Sequence, residues 1–348
     1  MRIVVFGATG NVGTSLLTAL ERDERVDSVV GVARRPPASR AAGKVEWARA
    51  DITTDALAPL VRGADAVVHL AWAIQPSRDL AKLRRTNVDG SARVFRAVAD
   101  AGVPALVHAS SVGTYSPGPK DRLVDESWPT DGIPSSFYSR HKAEVERLLD
   151  RFEQEHPSVR SVRLRPALIF KRESAEEQRR LFAGPFVPSS LVRRGLIPLV
   201  PDVPRLRFQA VHSYDVGEAY RLAATGDARG AFNVAAEPVI DPDALARLLH
   251  ARKVPVPQSV LRGATSVTWK LRLQPSPPGW IDLALQTPLL DASRARNELG
   301  WSPRFTALQA LEDVLRGMRD RAGADTPPLE PSASRVDEVA ATRVGGEE

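Results

Sequence analysis

A tyrosine and a lysine that could transfer a proton stand four residues apart, as Tyr138 and Lys142. The surrounding residues have helical periodicity, so both side chains are expected on one helix face, one turn apart. A phenol has a pKa near 10 and is a poor base at neutral pH, but an adjacent ammonium favours the phenolate and lowers that pKa. The pair therefore predicts general acid–base chemistry, although this spacing alone is common and most often structural.

Two serines, Ser110 and Ser111, follow an apolar run that is predicted to be a strand. In open α/β sheets, ligands bind at the edge formed by the carboxyl ends of the strands. A hydroxyl at that edge could hydrogen-bond the carbonyl or alcohol oxygen that Tyr138 protonates or deprotonates. The alternative is a strand-end hydroxyl that caps the chain locally.

A glycine-rich turn lies between the first predicted strand and the first predicted helix. Its glycines permit a sharp turn, a close approach of the backbone to a pyrophosphate and tight packing of the helix on the sheet. The helix N-terminus would present free N–H groups and a partial positive charge to the anion. This context predicts a dinucleotide site, with an ordinary tight turn as the alternative. The residues of the turn are Gly7, Ala8, Thr9, Gly10, Asn11, Val12 and Gly13.

Arg34 and Arg35 follow the second predicted strand, where an NAD-binding protein usually places an acid for the ribose 2′-hydroxyl. Guanidinium groups suit a 2′-phosphate, because they donate bidentate, charge-assisted hydrogen bonds. We therefore expect NADP(H) to be favoured over NAD(H), although two solvated loop arginines are the alternative.

Asp51, followed by Ile52, stands where a third short strand would end. Its carboxylate could accept a hydrogen bond from the adenine amino group of the cofactor. A plain turn-forming aspartate is the alternative.

The elements that must position these residues alternate along the first part of the chain. Short β-branched apolar runs predict strands, and the amphipathic stretches between them predict helices, as in βαβ units. The fold class is therefore α/β, a Rossmann-type doubly wound parallel sheet with a smaller C-terminal substrate lobe. The predicted strands are Arg2–Phe6, Ser28–Ala33, Val45–Ala48, Ala66–Leu70, Ala105–Ala109 and Ser161–Arg165. The predicted helices are Gly13–Arg22, Leu80–Ala101 and Phe137–Glu155.

The pattern changes after Pro166. Residues 171–209 are rich in proline and arginine, and their helical periodicity is broken. A strand and a helix return at Phe208–Ala223, a strand follows at Ala231–Val234, and a last amphipathic helix is predicted at Ala307–Arg319.

This change in pattern divides the chain. We predict a dinucleotide-binding domain made of residues 1–166 and 208–236, and a substrate lobe made of residues 167–207 and 237–320. Residues 321–348 contain prolines, acids and small residues but no aromatic residue, which predicts a disordered tail.

The composition excludes several classes of protein. No apolar run approaches the roughly 20 residues that cross a membrane, and the first strand begins directly after Met1, so neither a membrane partner nor a signal peptide is expected. Without cysteine there can be no disulfide, thiolate nucleophile or cysteine-rich zinc site, and no metal is expected. A cytoplasmic location is the simplest expectation.

The net charge of +6 comes from 48 basic and 42 acidic residues. They are mixed along the chain without a dense basic block. We therefore expect an anionic cofactor or small-molecule substrate rather than nucleic acid.

Taken in order, the motifs resemble the short-chain dehydrogenase/reductase superfamily, specifically its extended branch of NAD-dependent epimerases, dehydratases and reductases. The resemblance covers roughly residues 1–315. It is carried by the turn Gly7–Gly13, VVHLA at 67–71, TNVDG at 86–90, SSV at 110–112, YSRHK at 138–142, Arg165-Pro166, VHSYDV at 211–216 and LGWSP at 299–303.

The resemblance implies roles for these residues. Ser111 matches the catalytic serine and Tyr138 the acid/base, while Lys142 would hold the nicotinamide ribose and tune Tyr138. Asn87 would help to maintain a proton relay; the residue pattern alone makes it a surface helix residue.

Other implied roles concern the cofactor and assembly. Leu70, Ala71 and Trp72 would line the ribose and nicotinamide side of the cofactor. Relatives commonly dimerise through the two long helices predicted at Leu80–Ala101 and Phe137–Glu155, so a homodimer is expected.

Three departures from the family pattern bear on function. His141 replaces the small residue that usually precedes the lysine, and Phe170-Lys171-Arg172 replaces the usual Phe/Tyr-Gly-Pro. Ser111 is followed by Val112-Gly113, whereas sugar-nucleotide 4,6-dehydratases carry an Asp-Glu pair after their threonine. Dehydration is therefore disfavoured.

Reduction and epimerisation remain. An epimerase usually retains NAD tightly, whereas the paired arginines after the second strand favour exchangeable NADP(H). Arg193, Arg194, Arg205 and Arg207 could grip a diphosphate or form a solvated basic loop. We predict an NAD(P)-dependent oxidoreductase acting on a carbonyl or secondary alcohol. A nucleotide-sugar epimerase is the alternative, and a non-catalytic dinucleotide-sensing protein is the alternative from another class.

Overall fold

The apolar runs of the sequence form one parallel seven-stranded sheet. In the computed structural model, which describes residues 1–37, 43–74, 77–182, 198–271 and 276–330, its strand order is β3-β2-β1-β4-β5-β7-β11. The order reverses between β1 and β4, the switch point at which such sheets bind ligands. The strands are β1 (Arg2–Phe6), β2 (Ser28–Ala33), β3 (Val45–Arg49), β4 (Ala66–His69), β5 (Ala105–Ala109), β7 (Arg160–Pro166) and β11 (Gly230–Val234).

Helices cover both faces of this sheet, so the predicted doubly wound fold is confirmed. Ile3 and Val5 of β1 belong to one apolar core, and Val4 and Phe6 to the other, as the two-residue period of a strand requires. The α-helices are α1 (Asn11–Glu21), α2 (Ala58–Val61), α3 (Leu80–Arg84), α4 (Gly90–Asp100), α5 (Phe137–Glu155), α6 (Ala175–Phe182), α7 (Ser213–Thr225), α8 (Pro242–Leu249), α9 (Gln258–Lys270), α10 (Gly279–Gln286), α11 (Ser293–Glu298) and α12 (Ala307–Asp320).

Three small parallel strand pairs join distant segments. The pairs are β6 (Leu123–Val124) with β13 (Leu289–Leu290), β8 (Leu168–Phe170) with β10 (Ala210–His212), and β9 (Leu199–Asp202) with β12 (Arg252–Pro255). The first two pairs hold β13 and β10 beside the segments that follow β5 and β7, whereas the third pair joins two segments of the second half to each other.

The structure corrects two predicted elements. The single helix predicted at Leu80–Ala101 is interrupted by a π-helical turn, Arg85–Asp89, because the wider turn places Asn87 in the interior. The absence of helical structure predicted for residues 171–209 is also wrong near its start. There the proline-free stretch Ala175–Phe182 forms α6.

The predicted boundaries of the substrate lobe remain a prediction, and its residues 183–197 and 272–275 lie outside the described residues. Phe170, Ala175, Trp301 and Val314 share the apolar core that contains Ile3. The parts of the lobe that carry these residues therefore pack in the core beside the sheet, whereas α9 has no buried residue.

The start of the predicted disordered tail is corrected as well. Leu329 is fully buried, and Arg180 donates to the carbonyl of Pro328 at 3.0 Å, so residues 321–330 are anchored by one apolar side chain. The remainder, 331–348, lies outside the described residues. Within the described ranges no helix has the length and apolarity to cross a membrane.

Helices α1 and α7 approach closely because small residues line their contact. A Cβ atom on Gly217 would lie 2.7 Å from the carbonyl carbon of Ser15, and the hydroxyls of Ser15 and Ser213 are 2.8 Å apart. This contact fixes α1, whose N-terminus closes the glycine-rich turn.

Gly217→Ala is expected to destabilise the protein by about 1–3 kcal/mol, since the added methyl group meets backbone atoms that cannot move independently. Urea titration measures the free energy of unfolding. The matched control is Gly263→Ala on α9, where an added Cβ meets nothing within 4 Å. That variant is expected to gain up to about 1 kcal/mol from helix propensity. Equal stability of the two variants would contradict the close packing.

Candidate active site

The glycine-rich turn adopts a conformation that only glycine allows at its first position. Gly7 has φ of +81°, and its N–H donates to the Val32 carbonyl at 2.9 Å. A Cβ atom there would lie 2.6 Å from the Ala71 nitrogen, in the loop after β4. The turn thus brings β1, β2 and β4 together at the switch point and directs the N-terminus of α1 toward it.

The remaining residues of the turn support the same arrangement. A Cβ atom on Gly13 would lie 2.4 Å from the Gly7 carbonyl oxygen, so the first turn of α1 touches the backbone that precedes it. Thr9 is buried, and Val12 packs against the core. Gly10 precedes α1 with no side-chain cap, which leaves the helix N–H groups to a ligand.

A buried lysine braces this turn from the side of β8. The ammonium of Lys171 donates to the Asn11 carbonyl at 2.9 Å, to the Thr14 hydroxyl at 2.6 Å and to the Ser15 hydroxyl at 3.1 Å. Burial lowers the pKa of Lys171 to about 8, although the carboxylates of Glu173 and Glu177 oppose the shift. This is the lysine that departs from the family pattern, and it ties the segment after β8 to the start of α1.

Arg34 and Arg35 are exposed directly after β2. Among the described residues, neither guanidinium has an ion-pair or hydrogen-bond partner. Both stand at the carboxyl edge of the sheet, on the same strand end whose Val32 carbonyl binds Gly7.

Asp51 uses its carboxylate locally. One carboxylate oxygen accepts from the backbone N–H of Thr53 at 2.8 Å and from the Thr53 hydroxyl at 2.7 Å. This arrangement is that of a turn-forming aspartate. Ile52 is buried and packs against Gly90, where an added Cβ would lie 2.7 Å from its Cδ1.

The loop after β4 is held by Asn87, which is fully buried in the π-helical turn. Its side-chain oxygen accepts from the Ala73 N–H at 2.7 Å, and its amide nitrogen donates to the Ala73 carbonyl at 3.0 Å. The surface position expected from the residue pattern alone is therefore wrong. Asn87 fixes the backbone that follows Leu70, Ala71 and Trp72.

Tyr138 lies at the start of α5, and Ser136 caps that helix by accepting from the Ser139 N–H. Its ring packs on Gly113, where a Cβ atom would lie 2.8 Å from the tyrosine Cε1. Burial raises the pKa of Tyr138 to about 12, and a side-chain hydrogen bond with Ser111 partly offsets the shift. Ser111 is itself fixed, because its hydroxyl accepts from the Gly113 N–H at 3.0 Å.

Lys142 is buried one turn further along α5. Its ammonium donates to the Ala109 carbonyl at 2.7 Å and lies 3.5 Å from the centroid of the Trp72 ring. Burial lowers the pKa of Lys142 to about 7, against the opposing charge of Glu146. The structure thus brings Ser111, Tyr138 and Lys142 together at the carboxyl edge of the sheet.

One electrostatic prediction is wrong for this arrangement. The pKa of Tyr138 was expected to fall toward neutrality beside Lys142, but it is raised. The ammonium is held by Ala109 and Trp72 and lies 5.9 Å from the centroid of the Tyr138 ring, so burial of the phenol dominates.

Behind Lys142 lies a buried ion pair that sequence reasoning missed. Arg165 donates from Nε and from a terminal nitrogen to the two oxygens of Glu146, at 2.8 and 2.5 Å. Ser110 also donates to Glu146, and Arg163 lies 3.4 Å from it. Burial raises the pKa of Glu146, but Arg165 outweighs it and leaves the carboxylate ionised. The available signal was spacing, since Glu146 follows Lys142 by four residues on the same helix face.

Two further residues lie near Tyr138: Trp280, which no sequence motif indicates, and His141, which the sequence marks only as a departure from the family pattern. Trp280 of α10 packs against the Tyr138 ring, with centroids 5.2 Å apart and planes inclined by 32°. His141, the departure before the lysine, is buried against Phe137 at 6.0 Å, and burial lowers its pKa.

Fold and site together are those of a dinucleotide-dependent enzyme. The chain belongs to the NAD dependent epimerase/dehydratase family, whose profile matches residues 3–235. The predicted family and enzyme class, an NAD(P)-dependent oxidoreductase or epimerase of the extended short-chain dehydrogenase/reductase type, are confirmed.

Individual relatives span nearly the whole chain. An uncharacterized protein of Mycobacterium tuberculosis is 26% identical over 330 residues, which cover 90% of this chain and 83% of that protein. A 4-hydroxy-2-methyl-3-oxo-4-farnesyl-3,4-dihydroquinoline-1-oxide ketoreductase of Stigmatella aurantiaca is 27% identical over 338 residues, 91% of this chain and 96% of the relative. The structure is similar to that of a Thermus thermophilus UDP-glucose 4-epimerase complex with NAD, with TM-score 0.69 and 21% identity, covering 92% of this chain and 99% of the other.

Lys171→Met is expected to flatten the rise of thermal stability with pH. The folded pKa of about 8 lies below the unfolded value of 10.5, so between these values the unfolded chain binds the extra proton. Stability is therefore reduced below pH 8 and recovers as the pH rises toward 10. The methionine variant loses this contribution, which calorimetric Tm values at several pH values measure.

Lys253→Met serves as the control, because Lys253 forms a surface ion pair with Asp243. It is expected to keep the wild-type slope between pH 8 and 10. A slope of the Lys171→Met protein equal to that of the wild type would refute the buried cation.

Proposed function

We propose that this protein is an NADP(H)-dependent reductase or dehydrogenase that acts on a carbonyl or secondary alcohol. The observation that carries the proposal is the placement of Tyr138 against Gly113, next to the fixed Ser111 hydroxyl and one helical turn from the buried Lys142. Burial raises the pKa of Tyr138 to about 12. A group that stays protonated at neutral pH is suited to donate a proton to a carbonyl oxygen. The dinucleotide, when bound, supplies or accepts the hydride.

Each side chain of the triad has a separate task in this proposal. Tyr138 gives its proton to the substrate oxygen, and Ser111 donates a hydrogen bond that orients this oxygen. Lys142 holds the nicotinamide ribose. To do so, its ammonium gives up the hydrogen bond to the Ala109 carbonyl and donates to the ribose hydroxyls instead. Asn87 keeps the loop that carries Trp72 in place by its two bonds to Ala73. As a residue that acts through the loop, Asn87 is a positioning residue.

The proposed cofactor site extends from the turn to the loop after β4. The uncapped N-terminus of α1 binds the pyrophosphate through backbone N–H groups. Asp51 and Ile52 border the adenine, although the carboxylate of Asp51 already closes a local turn. The proposed cofactor-contacting residues are Gly7, Thr9, Gly10, Asn11, Val12, Gly13, Arg34, Arg35, Asp51, Ile52, Leu70, Ala71, Trp72, Tyr138 and Lys142.

The preference for NADP(H) rests on Arg34 and Arg35. Both are exposed after β2 and carry no competing partner among the described residues, so they are available to a 2′-phosphate. An acid that would repel this phosphate is absent from the two positions that follow β2.

A nucleotide-sugar epimerase is the second candidate, supported by the fold shared with the UDP-glucose epimerase. The ketoreductase relative supports reduction instead, since it shares 27% identity with this chain whereas the UDP-glucose epimerase shares 21%. Of the arginines considered for a diphosphate, Arg205 donates to the carbonyls of Leu285 and Gly118, at 3.0 and 2.8 Å. Arg193 and Arg194 lie outside the described residues. We therefore favour the reductase. The homodimer and the small-molecule substrate stay predictions.

Tyr138→Phe is expected to lower kcat with a carbonyl substrate by about 100-fold or more, because the proton donor is lost. The Kd for NADPH is expected to change little, since the ring and Lys142 remain. Steady-state NADPH oxidation and calorimetric titration measure the two effects separately.

The control variant is Tyr220→Phe, which removes a buried tyrosine hydroxyl from α7. It is expected to keep near-normal activity. Near-normal turnover of the Tyr138→Phe enzyme would show that another group donates the proton.

A further inference from the structure

Two indole rings border the proposed proton donor. The Trp280 ring lies 5.2 Å from the Tyr138 ring at an interplanar angle of 32°, and the Trp72 ring lies 6.0 Å away at 78°. Both distances fall in the range of favourable aromatic pairs, one tilted and one edge-to-face. Both indole rings are therefore close enough to Tyr138 to contact a substrate whose oxygen reaches its hydroxyl.

Trp280 is held in this position by its own helix and by a second aromatic ring. Gly279 lies against the loop before α5 so closely that a Cβ atom would lie 2.5 Å from the Ser135 carbonyl oxygen. The Trp280 ring also meets Phe137 edge-to-face, with centroids 6.2 Å apart. Asp282, buried on α10, accepts from Arg262 of α9 at 2.8 and 3.1 Å. The indole is thus a fixed wall.

The cations near the other end of α10 serve to anchor the helix. Lys120 donates to the carbonyls of Arg207 and Ala284, at 2.7 and 2.8 Å. Arg205 donates to the carbonyl of Leu285 at 3.0 Å. Their hydrogen bonds bind backbone oxygens, which reduces their capacity to bind a diphosphate. The described part of the site offers aromatic surface directly beside Tyr138.

We propose that the substrate carries a planar unsaturated ring next to its reacting carbonyl, and that Trp280 is the specificity-determining residue that stacks on this ring. The proposal rests on the reductase function above. Offset stacking favours a flat π-system over a puckered saturated ring of equal size, because only the flat ring meets the indole face with its full area. The wall formed by Trp280 then selects among ketones, while Tyr138 performs the proton transfer on all of them.

The test compares 1-tetralone with 1-decalone, two bicyclic ketones with the same number of carbon atoms, of which only the first has an aromatic ring. The measured quantity is the ratio of kcat/KM for the two ketones with NADPH, in the wild type, Trp280→Phe and Trp280→Leu enzymes. Intrinsic reactivity cancels when this ratio is compared between enzymes. We expect Trp280→Phe to keep the wild-type ratio within about twofold and Trp280→Leu to lower it roughly 3- to 10-fold. The Kd for NADPH is expected to remain unchanged.

The outcomes separate this inference from the proposed function. If Trp280→Leu consumes both ketones with the wild-type ratio, the substrate class is wrong and the reductase stands. If Trp280→Leu fails to fold, the Trp280→Phe enzyme is decisive, because it keeps an aromatic ring at this position. A 1-tetralone to 1-decalone ratio lowered about 10-fold in Trp280→Phe would contradict the proposal that an aromatic ring is what selects the substrate. If the wild type binds NADPH but reduces neither ketone, both the inference and the reductase are contradicted.

Discussion

The buried ammonium of Lys142 is the constraint on which the active site depends. A cation removed from water must find compensating groups, and this one has the Ala109 carbonyl, the face of Trp72 and the field of Glu146. Glu146 is itself buried and ionised, so it needs Arg165, which bonds both of its oxygens. Removal of one partner from such a buried pair costs about 3–5 kcal/mol. The pair therefore stabilises the packing of α5 on β7.

The same network reaches the loops that cover the site. Arg165 also donates to the Tyr115 hydroxyl at 3.0 Å and to the Glu126 carbonyl at 2.9 Å. Tyr115 in turn donates to Asn233 of β11 at 2.6 Å. The last strand of the sheet, the loop after Ser111 and the helix that carries Tyr138 are therefore coupled through one chain of buried polar contacts. A second buried lysine, Lys171, likewise stabilises the dinucleotide turn through its hydrogen bonds to the start of α1.

Much of this fold follows from local pattern. The predicted bounds of β1, β2, β5 and α5 agree with the structure, because the apolar runs of the strands and the helical periodicity of α5 are strong in these stretches. The π-helical turn was not predictable in this way, since it depends on the contact between Asn87 and a backbone 14 residues earlier. Helix α6 was missed because the proline-rich residues that follow it dominated the pattern of that region.

For the site, residue identity was predictable and environment was not. Gly7, Ser111, Tyr138 and Lys142 were recognisable from their motifs, and they meet at one edge. The direction of the Tyr138 pKa shift depends on how deeply the phenol is buried, and the Lys142 ammonium does not offset that burial because the Ala109 carbonyl and the Trp72 ring hold it. Trp280 is 142 residues from Tyr138 along the chain and belongs to no motif, so only the tertiary fold reveals their contact.

The most direct test of an exchangeable, phosphorylated dinucleotide beside Tyr138 is calorimetric titration of the purified protein with NADPH and, in parallel, NADH. The wild type is expected to bind NADPH at one site per chain, at least 10-fold tighter than NADH, as two charge-assisted contacts to a phosphate imply. An Arg34→Ala, Arg35→Ala double variant is expected to lose this difference while its affinity for NADH is unchanged. A protein that already carries NAD, and exchanges it for neither nucleotide, would contradict the reductase and favour the epimerase.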